Sequence, residues 1–263
     1  MSLERAQLSA APAGRGKPTV RVAACGDIHC RPDVPNPTLD AIAELDGVAD
    51  LLLLAGDLTT CGNPEEAQPV ADVCSRLELP VVAVLGNHDL HANRAEELVD
   101  VLERGGVRVL DGASAIFPIK GLEVGVAGAK GFVGGFQGSH LPDFGEPSLR
   151  GIYREAGEEV AGLDGALHEI AVCALRLVVL HYSPTAETLE GEPQGIWTYL
   201  GTDRLAAPLL EHEPDLVVHG HAHAGRFAGR VGEVEVFNVS VPVIGRDYWL
   251  FELEPATAAS SIR

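Results

Sequence analysis

Residues 50–66, "DLLLLAGDLTTCGNPEE", read as a strand, a tight turn and the start of a helix. Leu51–Leu54 place apolar side chains on both faces of a pleat, the pattern of a strand buried on both sides in a parallel sheet covered by helices. Gly56-Asp57 ends the strand. Asn63-Pro64-Glu65-Glu66 then supplies an N-cap residue, a proline at the first helical position and acids in the first turn. The stretch is thus one βα unit with polar residues at the carboxyl end of its strand.

Working outward, the same arrangement recurs on either side. Upstream, "VRVAAC" (20–25) runs into "GDIHC" (26–30); downstream, "VVAVLG" (81–86) runs into "GNHDLH" (86–91). Asn93 with Glu96 makes a capping-box-like start for a helix over 94–104, which Gly105-Gly106 ends. The first half therefore predicts βαβαβ around a buried parallel sheet. Asp27, Asp57 and Asn87 are spaced 30 residues apart, the length of one βαβ unit. Carboxyl ends of parallel strands share one edge of the sheet, where ligands bind, so this spacing along the chain predicts a cluster in space.

The second half changes style. Strands are expected at 122–129, 175–182, 215–220, 234–240 and 247–253, with hairpin character, and a helical region over 148–172 is interrupted by Gly157, Gly162 and Gly165. The Gly-rich stretch 128–147 predicts a long loop over a site. Two further strands end in "HYSP" (181–184) and "HGHAHAG" (219–225). With no linker or composition break, a single domain is expected over 19–255, after a flexible lead-in (1–18) and before a short tail (256–263).

Composition narrows the functions. The chain has 263 residues, 46% of them hydrophobic, enough for a full core. No run approaches the roughly 18 apolar residues of a membrane span, and the N-terminus lacks the apolar segment of a secretory signal. The five cysteines show no CxxC spacing, which suits reduced thiols in a cytoplasmic protein. A formal charge of −19 argues against nucleic acid or an anionic membrane as a main partner. A small anionic ligand would need a local positive centre. Only 3 of the 19 basic residues are lysines, and the basic residues do not cluster, so a bound metal is the natural source.

The residues at the strand ends suit that role. Asp27 and His29, like His221 and His223, are two apart and can face one way on an extended chain. With Asp57, Asn87 and His181 they offer imidazole and oxygen but no thiolate, a donor set for Mn, Fe, Zn, Ni or Co. Seven such residues exceed what one tetrahedral ion takes and suit two divalent ions sharing a bridge. A two-metal site supplies hydroxide at neutral pH and clamps both oxygens of an in-line displacement.

The blocks D-x-H, G-D, G-N-H-D, a lone H and G-H-x-H, in this order over residues 20–253, resemble the calcineurin-like metallophosphoesterase superfamily. "GDLTTCGNPEEA" followed by "PVVAVLGNHD" is also similar to its cyclic-nucleotide phosphodiesterase branch. The resemblance implies an α/β fold, a four-layer α-β-β-α sandwich of two mixed sheets. It implies that Asp27, His29 and His223 hold one metal, that Asn87, His181 and His221 hold the other, and that Asp57 bridges them. His88 would be the general acid and Asp89 the residue orienting it. The neutral Asn87 would ligate without cancelling the charge that draws a phosphate.

The expected activity is metal-dependent hydrolysis of a small phosphodiester, such as a cyclic nucleotide or a nucleotide-like diester, by a metal-bridging hydroxide. A phosphomonoesterase on the same site and a non-catalytic metal-binding interaction module are the alternatives. Arg31 and Arg226 are candidate substrate cations. Phe132, Phe136 and Tyr182 either stack on an organic group or pack as core. His91 and His219 are expected to pack beside the ligands, and Cys30 to be a buried apolar side chain. Sequence leaves the oligomeric state open.

Overall fold

The structure, a computed structural model, describes residues 18–255. The expected N-terminal lead-in, apart from Pro18, and the tail 256–263 lie outside the described residues.

Eleven strands form two mixed sheets among the described residues. The first half gives β1 (Val20–Cys25), β2 (Leu51–Ala55), β3 (Val81–Val84) and β4 (Val107–Val109), all parallel, separated by α1 (Pro37–Ile42), α2 (Pro64–Cys74) and α3 (Ala95–Arg104). The second half gives β5 (Ala113–Ile119), β6 (Leu122–Ala129), α4 (Pro147–Glu169), β7 (Leu175–Leu180), α5 (Trp197–Leu200), α6 (Ala206–His212), β8 (Leu216–His219), β9 (Ala228–Val231), β10 (Val234–Asn238), α7 (Val241–Ile244) and β11 (Trp249–Leu253). The first sheet runs β11-β1-β2-β3-β4, with β11 antiparallel to β1. The second runs β5-β6-β7-β8-β10-β9.

Pleating sorts the side chains into three cores and hence four layers. Leu51 and Leu53 of β2 join Val22, Val82, Val126, Leu177 and Val218 in the core between the sheets. Leu52 and Leu54, on the opposite face, pack with Leu39 and Ile42 of α1, Val70 of α2 and Leu98 and Leu102 of α3. Beyond the second sheet, Val178, Leu180 and Val217 pack with Leu163 and Leu167 of α4 and Leu209 of α6. Each fully buried leucine contributes about 2 kcal/mol of transfer free energy, so β2 alone anchors both layers.

Several boundaries differ from expectation. The α3 cap is Arg94, not Asn93, because Asn93 takes a left-handed turn (φ 54°) that closes the preceding loop. Asn63 caps α2 by position only; Glu66 reaches back to the Cys61 N–H instead. In the second half, hairpins are confined to β5–β6 and β9–β10, while β6, β7, β8 and β10 are mutually parallel. Residues 130–146 carry no named helix or strand, and α4 runs unbroken through Gly157, Gly162 and Gly165. Among the described residues no helix is long and apolar enough to cross a membrane.

Candidate metal centre

The parallel strands of both sheets bring their carboxyl ends to one edge. There Asp27, Asp57 and Asn87 follow β1, β2 and β3, while His181 follows β7 and His221 and His223 follow β8. The Asp27 N–H donates to Gly56 O (3.0 Å), the His29 N–H to Asp57 O (3.0 Å) and the Gly220 N–H to His181 O (3.2 Å), lacing the loops together. Seven described non-glycine residues have positive φ, and four of them are Asp27 (60°), His29 (48°), Asp57 (51°) and His221 (70°). Backbone strain of this kind persists where surrounding structure enforces it, characteristically at functional sites. Gly86 is needed for space, since a Cβ there would run into the Asp57 carboxylate.

Three groups of side chains hold their donor atoms within 4.8 Å of one another: Asp27, His29 and His223; His29, Asp57 and His88; and Asp57, His181 and His221. Asp57 sits between the halves, with Oδ2 3.9 Å from His29 Nε2 and Oδ1 3.4 Å from His181 Nε2. Its Oδ1 also accepts the His88 N–H (2.8 Å).

The hydrogen bonds fix where the protons are. His181 Nδ1 lies 2.9 Å from Ala55 O. A carbonyl only accepts, so Nδ1 carries a hydrogen, and the neutral ring presents its lone pair at Nε2. That Nε2 faces Asn87 Oδ1 at 3.0 Å, another acceptor. With the ring neutral, the two lone pairs that face each other here are the natural neighbours of a cation. His221 is constrained likewise: Nε2 donates to Tyr199 O (3.1 Å), leaving Nδ1 free. Such partners on the far nitrogen are what orient metal-binding histidines, so the donor set fits divalent ions.

Electrostatics divide the cluster. Burial would raise Asp27, but hydrogen bonding from His223 and the nearby His181 bring it down to about 2. That hydrogen bond (2.9 Å) in turn raises His223. Burial, then the neighbouring His181, push His221 down to about 3, and burial lowers His29.

His88 and Asp89 are held by separate contacts. Asp89 makes no hydrogen bond to the His88 ring. Fully buried, its carboxylate accepts from the N–H groups of Leu58 (3.2 Å), Thr59 (2.8 Å) and Gly86 (2.9 Å) and from the Thr59 hydroxyl (2.7 Å). It ties the turn at 86–89 to the loop after β2, and the His88 ring is held by that loop through Nδ1 and Thr60 O (2.8 Å). Thr60 left no signal in the sequence because its main chain does the holding.

The expected substrate contacts are also redistributed. Phe136 is buried among Leu189, Leu200 and Ala222, so it is core and offers no face to a ligand. Tyr182 is buried with its ring 4.4 Å from that of His221 and 5.4 Å from that of His181, packing behind them. Phe132 meets Tyr182 edge-on beneath Lys130, whose ammonium pairs with Glu159 (2.8 Å). Arg226 is paired with Glu190 (2.5 Å). Arg31 is exposed, donates to Thr60 Oγ1 (3.3 Å), and has no carboxylate partner among the described residues. His91 is exposed. All five cysteines are free, and burial pushes the Cys30 thiol, beside His29, up to about 12, which makes it inert.

A family model described as calcineurin-like phosphoesterase matches residues 20–225. The glycerophosphodiester phosphodiesterase GpdQ of Enterobacter lignolyticus (strain SCF1) is 35% identical over 60 residues, 22% of each chain. A probable cyclic nucleotide phosphodiesterase of Synechococcus sp. is 26% identical over 181 residues, 69% of this chain and 60% of that one. The matched regions thus span 22% and 60% of these relatives' own lengths. Among solved structures, phosphopantetheinyl hydrolase (PptH) from Mycobacterium tuberculosis shares the fold, with a TM-score of 0.66 and 17% identity over 93% of this chain and 98% of that one. GAP50, an inner-membrane-complex anchor of Plasmodium, shares it at a TM-score of 0.53 and 13% identity over 85% and 72%. The ordered motif blocks, the two mixed sheets and the family match across 20–225 lead to one conclusion: the chain belongs to the calcineurin-like phosphoesterase family.

Proposed function

We propose that the protein is a dinuclear metal-dependent phosphodiesterase acting on small phosphodiesters, such as cyclic nucleotides or nucleotide-like diesters. The observation that carries this reading is the facing pair of lone pairs, His181 Nε2 and Asn87 Oδ1, beside a carboxylate whose two oxygens point to different groups of histidines. Asp27, His29 and His223 would hold one divalent ion, Asn87, His181 and His221 the other, and Asp57 both. When bound, two such ions lower the pKa of a shared water and clamp the attacking and leaving oxygens of an in-line displacement.

The remaining steps belong to the side chains. His88 spends its Nδ1 hydrogen on Thr60 O, so the proton for the leaving oxygen sits on Nε2 of the imidazolium. General-acid help of this kind contributes about 10²–10⁴-fold. Asp89 acts at one remove, by holding the loop that holds the ring. Two divalent ions would outweigh Asp27 and Asp57 and leave the site net positive, which suits a diester monoanion. A monoester dianion asks for a further cation besides the His88 imidazolium, and with Arg226 paired to Glu190 that leaves Arg31. Both relatives reported above are named for diester substrates, which supports the same choice.

Steady-state kinetics with added Mn²⁺ test the proposal. The expected result is a higher kcat/KM for bis-p-nitrophenyl phosphate than for p-nitrophenyl phosphate. Equal or higher efficiency on the monoester overturns the diester assignment. Two ions per chain with turnover of neither ester overturns the enzymatic reading.

A further inference from the structure

We infer that His219 and Asn238 are positioning residues that grip the metal-binding turn by its carbonyl groups and thereby aim His221 and His223; this rests on the metal-holding role proposed above for that histidine pair. The turn Gly220–Ala224 carries His221 at φ 70°, a conformation that L-residues adopt only when held. From the site side, the His221 N–H donates to both oxygens of Asp27 (2.9 and 3.1 Å). From behind, two fully buried side chains take the flanking carbonyls. His219 Nδ1 donates to Gly220 O (2.8 Å), and Asn238 Nδ2 donates to Ala222 O (2.7 Å).

The two grips share one origin. His219 and Asn238 are register partners at the carboxyl ends of the neighbouring parallel strands β8 and β10. Both ring nitrogens of His219 and both polar side-chain atoms of Asn238 are engaged. With Nδ1 donating to a carbonyl, the neutral His219 ring must accept at Nε2, from the Thr188 hydroxyl at 2.9 Å. Thr188 lies 2.8 Å from Ser183 Oγ, two residues beyond His181. Asn238 Oδ1 accepts the Ser240 N–H (3.1 Å). A buried chain thus runs from beside His181 to the carbonyl before His221.

The two arms of His219 can be cut separately. His219→Asn keeps a donor near the place of Nδ1 and loses the contact with Thr188; His219→Gln reaches toward Thr188 and loses the donor to Gly220 O. Asn238→Asp keeps the acceptor for Ser240 and sets an oxygen against Ala222 O. The full-length chain is stripped with chelator, then titrated with Mn²⁺ for stoichiometry and dissociation constants, and the metal-free variants are melted in parallel. His219→Gln and Asn238→Asp are expected to weaken Mn²⁺ binding by about 10–100-fold, and His219→Asn by less than about 3-fold, although both His219 variants lower Tm. Equal weakening in the two His219 variants, tracking their Tm, would mean that His219 only fills and stabilises the core and overturns the inference. Unchanged Mn²⁺ affinity in His219→Gln and Asn238→Asp overturns it as well. Failure of the wild-type chain to take up Mn²⁺ overturns the metal reading itself, a result distinct from any pattern among the variants.

Discussion

The two halves of the candidate centre are built on opposite principles. In the half formed by Asn87, His181 and His221, the His181 side chain is 0% exposed, and backbone carbonyls on the far nitrogens of both rings leave lone pairs already aimed. In the half formed by Asp27, His29 and His223, the His223 side chain is 45% exposed and bonds to Asp27 itself, so ring and carboxylate satisfy each other. One half is pre-organised at the junction of the two sheets. The other must break an internal hydrogen bond before its donors can hold a cation. The proposed ligand list therefore joins two halves that should differ in sensitivity to protons.

Asp57→Asn strikes both halves, because each carboxylate oxygen faces one of them. It is expected to lower kcat/KM by about 10⁴-fold or more and to reduce bound metal below two ions per chain, measured by kinetics and elemental analysis. A variant retaining two ions and near-normal turnover would remove Asp57 from the bridging position. His88→Ala should strike neither half: kcat falls by about 10²–10⁴-fold while two ions remain. The loss should be smallest for substrates whose leaving group needs no proton, and loss of metal in this variant would reassign His88 as a ligand.

Acidification should separate the halves. A raised His223 keeps its proton to higher pH than a free imidazole, and metal binding requires the neutral ring. His221, at about 3, is neutral throughout the working range. Occupancy measured against pH should therefore fall from two ions to one before falling to none, with the remaining ion on the buried half. Simultaneous loss of both would erase the distinction. The smallest effect concerns the metal-free protein. His221 and His219 have folded values of about 3 and about 4, below the unfolded histidine value, so the unfolded chain binds more protons in between. Their contribution to stability is present above about pH 6.5 and is lost as pH falls through the folded values. The raised His223 acts in the opposite sense but is half exposed and screened. The urea midpoint should accordingly be lower at pH 5 than at pH 7.

The contrast in legibility follows the same line. β1, β2 and β3 could be read to within a few residues because each is a dense apolar run with a Gly-Asp or Gly-Asn stop, buried on both faces. β4, β5 and β9 escaped notice: β5 buries only Ile119 and gains its place from pairing with β6, not from its own pattern. The Asn93 cap failed because a local propensity yielded to the turn that closes the preceding loop. Phe136 shared a composition with plausible substrate contacts, and only packing against Leu189 removed it, while Arg226 proved to be paired with Glu190.

By itself the sequence determined the parallel βαβ core, the edge on which the polar residues gather and the chemical types that gather there, because apolar period, turn residues and spacing are local properties written in order along the chain. Tertiary structure alone decided which nitrogen of His181 and of His221 faces the centre, that Thr60 rather than Asp89 holds the His88 ring, and that one half of the centre is sealed while the other is open. Those outcomes depend on backbone carbonyls and burial contributed by strands far apart in the chain, such as Ala55 against His181, and no residue type at any single position encodes them.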